Sequence, residues 1–174
     1  MSDKVPCRNC GASILKRTAD RNDGLCVPCK KGYRDSIERS REYYRNEREL
    51  NRTCPFRAYW RDLVDRVYTK DGGLNCLSED EKVYFAVGVL DGEVFNGGFV
   101  QFFDNSSGEY YRHAELGLMQ LAASDRLALL RAAKNEIFGA DPVPTEQAQR
   151  FTYTSRLGDE SRLNELDSKY CDLD

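Results

Sequence analysis

The apolar positions change character twice along the chain. Up to residue 32 they are sparse and irregular, set among Cys, Gly and Pro. Over 33–53 they stay thin: Tyr33, Ile37 and Tyr44 share a loose stripe on an otherwise charged stretch. Asp35 and Arg39 at i, i+4 and Glu38 and Arg41 at i, i+3 are neighbours on a helix, each pair contributing about 0.2–0.5 kcal/mol. The stretch predicts a solvated connector helix. Cys54-Pro55 breaks it, because proline suits a helix start and not an interior. Beyond the break, Phe56, Tyr59, Trp60, Leu63, Val64, Val67 and Tyr68 recur every three or four residues, one face of an amphipathic helix that stops at Asp71-Gly72-Gly73.

The helical period then persists. Ser78-Glu79-Asp80-Glu81 has the form of a capping box, and Val83, Tyr84, Val87, Leu90 and Val94 follow it. Asn96-Gly97-Gly98 predicts a turn, after which Phe99, Phe102 and Phe103 resume helical spacing. Ser106-Ser107-Gly108-Glu109 reads as a second capping box, with Leu116, Met119, Leu121 and Ala122 expected inward behind it. Ser124-Asp125 is expected to cap a helix carrying Leu127, Leu130, Ile137 and Phe138, closed by Gly139. Pro142 and Pro144 mark a rigid linker. Phe151-Thr152-Tyr153-Thr154 suits a strand as well as a helix, and residues 160–171 return to helix with Leu163, Leu166 and Tyr170. The fold class is mainly all-α. A small zinc-ribbon-like module (1–32) and a charged helical connector (33–53) precede a helical domain of five or six helices (54–174).

Cysteine adds chemistry to the first module. Cys7-Arg8-Asn9-Cys10 and Cys26-Val27-Pro28-Cys29 are two Cys-x-x-Cys pairs fifteen residues apart. Each such turn presents two thiolates, and two turns complete the tetrahedral site that Zn²⁺ takes. Gly11 permits a left-handed turn after the first pair, and Ile14 and Leu15 are expected in a short hairpin between the pairs. About thirty residues bury too little apolar surface to fold unaided, whereas structural zinc supplies about 10–16 kcal/mol. Four cysteines leave no open coordination position, so the metal is expected to be structural. The sequence leaves zinc and iron undistinguished. A dithiol redox pair is the other reading, but no thioredoxin-like βαβ pattern surrounds these residues. Cys54, Cys76 and Cys171 are expected to be buried or partly buried thiols.

Charge divides the chain. Residues 1–53 hold 13 Lys+Arg against 8 Asp+Glu, a formal +5; residues 54–174 hold 13 against 21, a formal −8. Metal and four thiolates would bring the first part to about +3. Lys16, Arg17, Arg21, Lys30, Lys31 and Arg34 form a basic patch that offers a salt-sensitive nucleic-acid contact. The N-terminus lacks a signal-type apolar segment, and no apolar run approaches the roughly 18–20 residues that span a bilayer. The expected setting is cytoplasmic, with no membrane partner.

Residues 96–108, Asn-Gly-Gly-Phe-Val-Gln-Phe-Phe-Asp-Asn-Ser-Ser-Gly, resemble the hallmark of the bacterial DNA-mimic protein family, most of whose members are known only as a domain of unknown function. The likeness extends loosely over 54–174. The N-terminal knot resembles an accessory ribbon on some members. The resemblance implies an all-helical fold. For one characterised member it implies binding a transcription regulator through carboxylates spaced like DNA phosphates. Read from the residues alone, Asn96 can cap a helix, Gly97 and Gly98 allow close backbone approach, the phenylalanines fill a core, and Gln101 and Asn105 can satisfy loop backbone. Alternatively, Gln101, Asp104 and Asn105 line a binding cleft.

Catalytic patterns are missing. The sole histidine, His113, follows Tyr110-Tyr111-Arg112 in a helix, and no nucleophile elbow, phosphate loop or dinucleotide fingerprint occurs. Glu79-Asp80-Glu81 and Asp159-Glu160 stand where helix starts favour acids. The expected function is a non-enzymatic protein-interaction module, its acidic domain binding a DNA-binding regulator or a toxin. A nucleic-acid-binding protein using the ribbon and the Arg-rich helix is the alternative, and an enzyme using the Gln101–Asp104–Asn105 region a third. The oligomeric state is not legible.

Overall fold

A computed structural model describes residues 3–69, 73–158 and 160–173. The expected stop at Asp71-Gly72 and the acid Asp159 lie outside the described residues. The chain divides into two compact units, Met1–Ala58 and Tyr59–Asp174.

The first unit opens with a two-stranded antiparallel hairpin, β1 (Lys4–Pro6) and β2 (Ser13–Leu15), in which Val5 faces Ile14. The hairpin lies around the first cysteine pair, not between the two pairs as expected. Its loop carries Cys7 and Cys10, and residues beyond Leu15 turn into helix α1 (Lys16–Arg21). A short helix α2 (Val27–Lys30) bears Cys29, with Pro28 in its first turn where no N–H is missed. Helix α3 (Arg34–Thr53) is the connector; none of its residues is buried. Arg34–Glu38, Arg41–Glu38 and Arg52–Glu49 pairs lie along it. Cys54 ends it, and α4 (Pro55–Thr69) begins at the proline.

The second unit is built around α5 (Glu79–Asp104). Ser78 accepts the Glu81 N–H and Glu81 accepts the Ser78 N–H, so the expected capping box is formed. Helix α5 alone among the described helices is long and apolar enough to cross a bilayer, which the reading of the apolar runs did not anticipate. In this fold part of its apolar surface is covered: Phe85, Leu90, Phe99, Phe102 and Phe103 have no solvent exposure, whereas Tyr84 and Phe95 are exposed. Helices α6 (Tyr111–Gln120), α8 (Gln147–Thr154) and α9 (Ser161–Cys171) pack directly on α5, and α7 (Ser124–Phe138) packs on α6, α8 and α9. A helix apolar all round is a core helix when neighbours surround it.

The interruption expected at Asn96-Gly97-Gly98 is present as a kink in α5, where Gly97 and Gly98 leave helical geometry and Gly98 sits at φ 78°. Several other local expectations are corrected. Residues 106–110 form a 3-10 turn without a side-chain cap, because Asn105 takes the cap position and Ser106 is the first residue of the turn; the Ser107 hydroxyl bonds Glu93 and the Phe102 carbonyl. Ser124 is the first residue of α7 rather than its cap. Residues 151–154 are helical, the end of α8. Helix α6 is rotated from the expected face. It buries Ala114, Gly117 and Leu118, while Leu116, Met119, Leu121 and Ala122 are exposed. Gly117 decides this, since a Cβ there would meet Val83 and Val87 of α5. Of the α4 stripe, Leu63 and Val67 are buried, whereas Phe56, Tyr59 and Tyr68 are exposed. Cys54 and Cys76 are half-buried, but Cys171 is exposed.

Candidate metal centre and the hallmark region

The four sulfurs of Cys7, Cys10, Cys26 and Cys29 all lie within 4.8 Å of one another. The Sγ atoms of Cys10 and Cys26 are 3.7 Å apart. A tetrahedron with metal–sulfur bonds of about 2.3 Å has edges of about 3.8 Å, so the cluster has the size of one four-thiolate site. Local backbone builds it. Cys7 N–H bonds Ala12 O at 2.8 Å and Gly11 N–H bonds Cys7 O at 2.9 Å, which closes the first loop around Gly11 at φ 70°. Arg8 N–H to Gly24 O at 3.0 Å brings in the second pair, and Cys26 N–H points at Cys7 Sγ at 3.2 Å. Cys7 and Cys26 are buried, Cys29 is half-buried and Cys10 is exposed.

The electrostatics fit a shared cation. The Cys10 and Cys26 N–H groups draw the Cys7 thiol down to about 6. Arg34 does the same for Cys26, donating Nη2 to its sulfur at 3.1 Å. Cys10 moves the other way. The Ala12 N–H acts to lower it, yet burial and the sulfurs of Cys29, Cys7 and Cys26 push it up to about 11. Four crowded sulfurs ionise together only when a positive charge sits among them.

The six residues of the basic patch are thus differently placed. Arg34 faces the sulfurs and Glu38, Lys16 pairs with Asp20 at 3.4 Å and Lys30 with Asp23 at 2.5 Å. Arg17, Arg21 and Lys31 are exposed without such pairs. Its place among basic residues hid the role of Arg34 in the sequence. The signal was its position five residues after Cys29.

In the second unit, Gln101 and Asp104 are half-buried and Asn105 is exposed. Glu93, not singled out from the sequence, organises Gln101 and Asn105. Its carboxylate accepts Gln101 Nε2 at 2.6 Å, Asn105 Nδ2 at 3.0 Å and the Ser107 hydroxyl at 3.0 Å. Asp104 accepts the Thr154 hydroxyl through its carboxylate, and its carbonyl accepts Gln147 Nε2 at 2.7 Å. Gln101 and Asn105 therefore bond to a carboxylate rather than to the loop backbone.

Arg150 completes this region and also escaped sequence reading. It is 1% exposed, and no carboxylate among the described residues pairs with it. Its guanidinium donates to the carbonyls of Phe103 (2.7 Å), Asn105 (2.7 Å), Thr145 (2.5 Å) and Pro144 (3.0 Å). The first two are terminal acceptors of α5, where the helix dipole favours a cation. Gly108 leaves the space, since a Cβ there would meet the Arg150 side chain. Burial lowers the pKa of Arg150. His113 lies on α6, half-buried, with Nδ1 shielded and unbonded among the described residues.

Compared with known proteins, residues 75–174, more than half of the chain, match the family model described as DMP19-like protein. No curated protein and no solved structure matches the chain.

Proposed function

The chain belongs to the DMP19-like protein family, and we propose that it works as a non-enzymatic protein-interaction module whose N-terminal unit is organised by one structural Zn²⁺. Cys7, Cys10, Cys26 and Cys29 hold the ion. With all four positions taken by sulfur, the metal fixes the fold of the module and activates no water. The acidic helical domain binds a protein partner, a DNA-binding regulator or a toxin being the kinds that its surplus charge suits.

One observation carries this reading. The hallmark's Gln101, Asn105 and Ser107 side chains are bound to Glu93, and Arg150 holds the hallmark backbone at Phe103 and Asn105, which leaves surface charge as the domain's chemical asset. That use in local bonding also argues against an enzyme at Gln101, Asp104 and Asn105. The nucleic-acid alternative is weakened by the pairing of Lys16, Lys30 and Arg34 within their own unit.

The test is affinity purification of the intact chain from its native cells at low and high salt. A stoichiometric protein partner held at low salt and released at high salt is expected. Recovery of none at either salt, or of nucleic acid alone, contradicts the proposal.

A further inference from the structure

The rotation of α6 leaves an apolar surface uncovered on the second unit. Beside it a groove of about 520 Å³ runs along α5, lined by Trp60 of α4, Val83, Tyr84 and Val87 of α5, and Leu121 after α6. Leu121 is 68% exposed and Tyr84 43%. Gly88 lets the Trp60 ring lie flat on α5, since a Cβ there would meet the ring. Leu116 and Met119, neighbours on one side of α6, are exposed as well. A groove lined by exposed apolar side chains marks an interaction site more often than chance does.

The groove also carries a charge pattern. Its first and last α5 residues are Asp80 and Asp91, and no lysine or arginine lines it. Asp80 has no ion-pair partner among the described residues. Asp91 is held at the far end by Arg126 at 3.1 Å and the Tyr170 hydroxyl at 2.5 Å. Eleven residues of helix set the two carboxylates about 16 Å apart along the axis, with apolar side chains between them.

We propose that this groove docks an amphipathic helix of a partner protein, one whose apolar stripe is flanked by a basic side chain at the end that meets Asp80. The inference rests on the reading of the domain as a protein-interaction module and names the surface and the partner chemistry. Apolar anchors fill the space between Trp60 and Leu121, and the flanking cation meets Asp80, while Asp91 stays with Arg126. Tyr84 and Trp60 add aromatic faces that favour a cation at the rim.

Trp60 is the only tryptophan of the chain, so its fluorescence reports on the groove directly. The intact protein is titrated with a synthetic helical peptide bearing Leu at i, i+3, i+4 and i+7 and Arg flanks, and with the same peptide carrying Glu flanks. The Arg peptide is expected to change Trp60 emission saturably, and the Glu peptide to leave it unchanged. Leu121→Ser should weaken binding at least about tenfold and Asp80→Asn about threefold; both sites are exposed, and circular dichroism checks each fold. Equal response to both peptides, response to neither, or unaltered binding by Leu121→Ser overturns the inference. So does self-association abolished by Leu121→Ser, which would assign the groove to a second copy. If the native partner is captured equally by Leu121→Ser and the unaltered chain, the groove assignment fails while the proposed function stands. If neither captures a partner, the proposed function fails, and the peptide titration still decides the groove.

Discussion

Asp167 on α9 accepts the backbone N–H of Phe99 at 2.8 Å, through a space that Gly98 leaves open. The contact caps the second half of α5 from a position 68 residues away. Gly98 sits at φ 78°, a left-handed value, and a Cβ there would meet the Asp167 carboxylate. Kink, glycine and carboxylate form one device.

That device makes a first prediction. Gly98→Ala should cost about 1–3 kcal/mol from backbone strain, with more from displacing Asp167. Asp167→Leu should cost about 1–3 kcal/mol by leaving the Phe99 N–H unsatisfied. Burial raises the pKa of Asp167. Its contribution is therefore fully present below the unfolded carboxyl value of about 3.9 and is lost as pH rises through the folded value. Asp167→Asn keeps an acceptor without the charge, so it should be neutral or stabilising at pH 7. Urea denaturation of the three variants measures this.

Arg150 predicts a larger loss. Arg150→Met removes the donor from four buried or partly buried carbonyls and should destabilise the helical unit by about 3–5 kcal/mol. Arg150→Lys should recover only part of it, because an ammonium lacks the planar fork that reaches Phe103 and Asn105 together. Thermal unfolding of both variants checks the ranking.

Glu81 predicts the acid limb. Arg66 grips both its oxygens, at 2.6 and 3.0 Å, and with the Ser78 N–H lowers its pKa to about 2. A depressed carboxyl stabilises above its unfolded value of about 4.3, and that stability is lost as pH falls toward 2. Glu81→Gln should lower Tm at pH 7 and flatten the decline of Tm between about pH 4.3 and 2. An unchanged acid limb would contradict the assignment.

Arg34 predicts metal retention. Its guanidinium supports the Cys26 sulfur, and loss of such an outer partner weakens metal binding about 10- to 100-fold. Competition of Arg34→Ala with a chromogenic chelator should show faster and deeper zinc loss than for the unaltered chain. Arg17→Ala, on an exposed residue without an ion pair among the described residues, should show no such change.

What the sequence disclosed, and what it hid, follows from range. The cysteine pairs, the Ser78 cap and the Phe99-Phe102-Phe103 spacing are local signals, and local backbone geometry satisfies them. The second capping box failed because the turn begins one residue early, with Asn105 and not Ser106 at the cap position. The inward face of α6 was misjudged because size stood in for fit. Gly117 and Ala114 permit close approach to α5, and the larger Leu116 and Met119 are left outside. Asp167 and Arg150 escaped because Phe99 lies 68 residues from the first, and the α5 carbonyls that the second holds lie 45 and 47 residues away in the chain.

The account turns on one metal ion organising an N-terminal unit in which Cys7, Cys26 and Ala19 are the only buried apolar residues among those described. Elemental analysis of protein purified without chelator, by plasma mass spectrometry, tests it directly. One zinc per chain, lost together with folded structure of the N-terminal unit in Cys7→Ser, is the expected result. Protein free of zinc whose N-terminal unit nonetheless stays folded would contradict it.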